Sequence, residues 1–159
     1  MIKSRKEGGY TLTELMIVIA IVGVLAFPEV EHIRTAAKLT GVQANFRSVT
    51  TAIYGLEATD TLDIKLREVF GDSVIPEFED MRNPITNKVG VTTNKPYIDE
   101  PTAAVYVLAE SESIVPSANE PSAYKGAVLT IIHPDNSVVV YGCDEKGKLM
   151  TGLQMTIQL

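Results

Sequence analysis

Residues 8–28 read "GGYTLTELMIVIAIVGVLAFP". From Leu15 to Phe27 nothing is charged, and a single acid, Glu14, stands at the entrance to the run. As a helix, Tyr10 to Phe27 reaches about 27 Å, close to the roughly 30 Å hydrocarbon core of a bilayer. The nine residues before it, "MIKSRKEGG", set Lys3, Arg5 and Lys6 against Glu7, a formal charge of +2. Basic residues on that flank stay cytoplasmic, which sends the rest of the chain outward. The reading of this stretch therefore decides the fold: a membrane-length helix first, and a domain built from the residues beyond it.

Three processing schemes compete. A secretory signal peptide is cut after its apolar run, at an A-x-A-like site, and "VLAFPEVEHI" offers only a weak one. A plain signal anchor explains the length and the basic flank but not Glu14. A cut between Gly9 and Tyr10 explains Glu14 as well. A charged side chain inside the bilayer costs roughly 2.5–3.5 kcal/mol at the helix centre. Glu14 sits about 6 Å into the helix, where headgroups relieve part of that cost. The helix macrodipole returns about 0.3–1 kcal/mol. Neither effect gives a reason to choose an acid. A free amine at Tyr10 does, because it is a cationic partner, and pairing matters more in a dry bundle of parallel helices.

The stretch "GGYTLTELMIVIAIVGVLA" resembles the class III signal of type IV pilins and the related pseudopilins. In that family a basic leader ends in glycine, and a prepilin peptidase cuts after it and methylates the new amino terminus. The fifth residue after the cut is a glutamate. Counting from Tyr10 makes Glu14 fifth, whereas a cut after Gly8 would make it sixth. Gly23 falls where the family commonly has a glycine. Tyr10 stands where Phe is usual, Thr13 where an aliphatic residue is usual, and Pro28 is nineteenth rather than twenty-second after the cut. Three residues turn a helix by about 300°, so a kink at Pro28 should point differently from the usual one.

Pro28 cannot donate to the helical ladder and crowds the preceding turn, and Gly23 weakens the same neighbourhood, so both are kink positions. Beyond them, Phe46, Val49, Ile53 and Leu56 recur at three- and four-residue spacing, and Ile33 and Ala37 begin a related face of smaller residues. One helix is expected over 10–58: a transmembrane and assembly segment over 10–28, then an amphipathic half that packs its stripe on a sheet. Residues 59–101 form a connecting region, with a short helix expected in "LDIKLREVF" and turns in "MRNPITNKVG" and "TNKPYIDEP". The acids of "PEFED" and "IDEPT" lack calcium-loop spacing and read as solvated surface.

Residues 102–159 read as strands: "TAAVYVLAE", "GAVLTIIH", "SVVVYGCD" and "LMTGLQMTIQL". Turns at "HPDN" and "DEKGK" give direct hairpins. The expected fold is α+β, the long helix on an antiparallel sheet of about four strands. Resemblance to the pilin family implies the same architecture. The cysteine pair that closes a C-terminal loop in many pilins is missing here, because Cys143 is alone.

The net charge is −6, and removal of residues 1–9 would leave −8. That balance does not favour a phosphate-binding face, so no nucleic-acid partner is indicated. Cys143 reads as a buried small hydrophobe. His32 and His133 lie far apart and in no metal-ligand spacing, so neither a metal, a cofactor nor a catalytic residue is assigned. Lys125, Lys146 and Lys148 read as solvated surface. The expectation is a structural protein and not an enzyme. It is a type IV pilus subunit or, alternatively, a pseudopilin of a type II secretion or DNA-uptake apparatus. The implied partners are a prepilin peptidase, an assembly platform, the membrane and further copies of the chain in a helical fibre. The implied location is the cytoplasmic membrane, N-terminus inside, and then an extracellular fibre. A membrane-anchored enzyme is the rival, and it would need a convergent nucleophile, base and acid on the sheet domain.

Overall fold

The computed structural model of the chain describes residues 9–55, 80–96 and 102–158. Its elements are α1 (Leu12–Tyr54), β1 (Val91–Thr92), β2 (Val105–Ala109), a 3-10 turn (Glu110–Glu112), β3 (Val128–Ile132), β4 (Ser137–Cys143) and β5 (Leu149–Gln158). The chain divides into two compact units, Met1–Ala36 and Ala37–Leu159. The first unit contains the start of α1. The second contains the remainder of α1 and the sheet.

The fold class is α+β, as expected from the sequence, with two corrections to the sheet. It has five strands in the order β1-β2-β3-β4-β5, and it is mixed rather than antiparallel. β1 with β2 and β2 with β3 are parallel, whereas β3–β4 and β4–β5 are antiparallel. Hairpin reasoning holds for the two short turns. It fails for β2 and β3 because residues 110–127 lie between them, long enough for a crossover that restores the strand direction. The fifth strand is β1, a two-residue piece with no apolar run to mark it.

The crossover covers one face of the sheet. Pro116 and Tyr124 are buried in it, and Tyr124 meets Tyr106 of β2 edge to face, ring centroids 5.3 Å apart. Its far end is tied down where Leu149 N donates to Ser117 O (3.0 Å) and Ser122 N to Lys146 O (3.1 Å). The opposite face takes α1. Phe46, Val49 and Ile53 pack with Val105, Val107, Val128, Val138, Val140 and Ile157 in one core. With both faces covered, β2, β3 and β4 are buried almost throughout. That is why they read as continuous apolar runs instead of alternating ones. Each fully buried Val or Ile contributes about 1.5–3 kcal/mol of transfer free energy.

The helical stripe is partly as expected. Phe46, Val49 and Ile53 are buried, and Val42 joins them at the same spacing. Ile33 is 66% exposed and Ala37 is also exposed, so the packed stripe starts later than the face they were expected to begin. α1 is assigned to Tyr54, with Gly55 N bonding back to Ala52 O (3.0 Å). Leu56, the expected helix in "LDIKLREVF", and the acids of "PEFED" before Asp80 lie outside the described residues, as do Asp99, Glu100 and Pro101 of "IDEPT".

"MRNPITNKVG" is a turn with a further role. Asn83 is fully buried, and its Nδ2 donates to Ala103 O and Lys125 O, each 2.9 Å away. Its Oδ1 accepts from Ile85 N (2.8 Å) and Thr86 N (3.0 Å). One side chain thus closes its own turn and fastens it to the entries of β2 and β3. Gly126 is there for room. Its φ is +67°, and a Cβ there would collide with Ile85 Cγ1. On the helix side, a Cβ at Gly41 would press on Pro84 (2.9 Å), and Asn45 Nδ2 donates to Arg82 O (3.0 Å).

Candidate processing and assembly site

Gly9 and Tyr10 precede the helix and are exposed, Tyr10 by 88%. α1 begins at Leu12, and its first bond runs from Leu15 N to Thr11 O (3.1 Å). Thr11 is the cap. Its backbone N and its Oγ1 both donate to Glu14 Oε2 at 2.8 Å, and Glu14 N donates back to Thr11 Oγ1 at 3.2 Å. This reciprocal pair satisfies donors that a helix start otherwise leaves open, a contribution of about 1 kcal/mol.

The structure therefore gives Glu14 a partner inside its own helix. Both bonds fall on Oε2, which leaves Oε1 for a further donor such as an amine. Thr11 is not among the residues expected to act at this site, although its signal is present: T-L-T-E is the Thr-x-x-Glu pattern of a capping box.

Along the following turns, Leu15, Met16, Ile17, Val18, Ile19, Ile21 and Val22 are all more than half exposed. They occupy every face of the helix, so no stripe is set aside for this chain's own core. α1 is long and apolar enough to cross a membrane. Gly23 has nothing within 4 Å of the place a Cβ would take, and no positive φ. Its own chain does not need it there, and glycine in a helix costs about 1 kcal/mol. The helix assignment continues through Gly23 and Pro28.

The remaining polar candidates lie apart. His32 is exposed on α1. His133 Nδ1 lies 3.2 Å from Glu110 Oε2, in a surface cavity of about 370 Å³ that Ser111, Ile132 and Pro134 also line. No sequence signal points to that pair, since only the parallel strands β2 and β3 bring their two ends together. Among the described residues, no three His, Cys, Asp or Glu side chains are grouped to hold a metal ion. Cys143 is buried, and burial, followed by the charge of Asp144, pushes its thiol up to about 12. It is an inert core thiol, as expected.

Gly9, Tyr10 and Glu14 thus lie together at the exposed, capped start of α1. No curated protein and no solved structure matches the chain. One family model does, over residues 4–27. That match covers Gly9, Tyr10, Thr11, Glu14 and Gly23 together, and it ends one residue before Pro28. The chain carries a prokaryotic N-terminal methylation motif, the class III signal characteristic of type IV pilins and pseudopilins.

Proposed function

We propose that this chain is the precursor of a type IV pilus subunit. A prepilin peptidase cuts between Gly9 and Tyr10 and methylates the new amine of Tyr10. The subunit waits in the cytoplasmic membrane with its N-terminus inside and its sheet unit outside. An assembly platform then draws it into a helical fibre whose core is made of the apolar helix starts. The observation that carries this reading is the methylation motif lying on a helix whose apolar residues face outward on every side.

Extraction moves those side chains from lipid to protein, a transfer that is nearly balanced, so packing and polar pairing must favour the fibre. Glu14 has a partner in both states. In the lone subunit Thr11 holds it. In the fibre the Tyr10 amine of a neighbouring copy reaches it in a dry interior, where an unpaired carboxylate would be costly. Gly23 and Pro28 are where the helix bends to suit its neighbours.

Mass spectrometry of the mature protein tests the processing step. Residues 1–9 should be missing and Tyr10 should carry a methyl group, and an intact leader would end the proposal. Electron microscopy tests assembly. Gly9→Val should block the cut and keep the subunit out of filaments. Glu14→Gln should insert in the membrane yet assemble poorly, and normal assembly would defeat the pairing argument. A pseudopilin shares the same start. It is distinguished by a secretion or DNA-uptake defect in a deletion strain that has no surface filaments to lose.

A further inference from the structure

Tyr54, the last residue of α1, donates its hydroxyl to Met155 Sδ across 3.6 Å. Met155 stands on β5 opposite Val140, on the face that receives the helix. Yet both side chains lie at the rim of that packing, with Tyr54 62% and Met155 38% exposed. Met81 and Met150 are half-buried, and Met81 packs against the core. Met16 lies in the apolar start of α1.

We propose that Met155 is an oxidation site for hydroperoxides and that the Tyr54 hydroxyl moderates its reactivity. The thioether lone pair attacks one peroxide oxygen. The S–O bond forms as the O–O bond breaks, and the proton of the transferred oxygen passes to the other oxygen, which leaves as water, or as an alcohol from an organic peroxide. Sulfur is oxidised by two electrons and the peroxide is reduced by two. A hydroxyl that donates to sulfur draws on the lone pair the attack needs, so Tyr54 slows the step. Once the sulfoxide forms, its oxygen is a much stronger acceptor than the thioether, and the same hydroxyl can bond to it. The added oxygen enters solvent rather than the core, unlike oxidation of a buried methionine. The sheet can therefore absorb the modification without repacking.

The test exposes the full-length chain in detergent micelles to dilute hydrogen peroxide. Digestion and fragment mass spectrometry then resolve Met155 from Met150. Met155, the most exposed of the three, should gain one oxygen about twofold faster than Met81 or Met150, the direction that exposure sets. Tyr54→Phe should raise that rate about twofold, the scale of a weak hydrogen bond to sulfur, and leave Met81 and Met150 unchanged. Oxidation of Met155 no faster than of the other two would overturn the site. An unchanged rate in Tyr54→Phe would overturn the part assigned to Tyr54.

Discussion

Two stretches of one helix have opposite fates. Ile19 and Ile53 are both isoleucines on α1, yet Ile19 is 60% exposed and Ile53 is fully buried. Around Ile53, sheet residues from β2 to β5 supply the apolar surroundings. Among the described residues, none buries Ile19 in the same way. The difference teaches that apolar character alone does not locate a core. The later stretch buries a stripe with its own sheet, whereas the earlier one is apolar and exposed on all sides, as suits the proposed surroundings of lipid and then of other copies.

That contrast can be broken by experiment, with unfolding of the full-length chain in detergent followed by circular dichroism. The largest effects should come from Asn83→Ala and Ile53→Ala in the sheet unit. Asn83→Ala leaves the buried Ala103 carbonyl, the part-buried Lys125 carbonyl and two amides without their Asn83 partner, and should lower stability by about 3 kcal/mol. Ile53→Ala should lower it by about 3 kcal/mol through lost transfer and a cavity. Ile19→Ala should move the same transition by less than about 0.5 kcal/mol. Equal losses at the two isoleucines would erase the distinction between the stretches.

Cys143 sharpens the comparison through pH. Its thiol holds a proton to about 12 in the native state, against 9.0 for the free group. Between those values the folded chain binds more protons than the unfolded one. Stability should therefore fall as pH rises above 9, Cys143 contributing up to about 1.4 kcal/mol per pH unit, and Cys143→Ala should remove that share and leave the part that sets in later from Tyr124 and Tyr141, whose hydroxyls burial also pushes up. One substitution should act with the opposite sign. Thr130 is fully buried beside Val107 and Val140, and its Oγ1 has no hydrogen-bond partner. Thr130→Val should raise stability by about 1 kcal/mol, and a loss would mean that the hydroxyl has a partner after all.

Much of this is legible in the residues. The apolar run and the Phe46, Val49, Ile53 spacing mark one long helix, and the β-branched runs mark β2 to β5. The parallel pairing is not legible, because sequence signals register short turns and residues 110–127 carry none for a crossover. Nor is Asn83 separable from any other turn asparagine, since its partners Ala103 and Lys125 are remote in the chain. At the candidate site, Gly9, Tyr10 and Glu14 stand out by their spacing. Thr11 does not, for another reason. Its capping pattern lies inside a stretch whose apolar character and membrane length are the stronger signals.

The cap also bears on what processing does to the molecule. Thr11 fixes the first helical turn, and its bonds reach forward to Glu14 and Leu15, never back to Gly9. Severing the peptide between Gly9 and Tyr10 breaks none of them. On the proposed function, the cut would leave the start of the helix and its cap in place. The change would be electrical: a neutral amide would give way to a cation one residue from the cap. The peptidase would then act as a charge switch, committing the subunit to assembly without reshaping it.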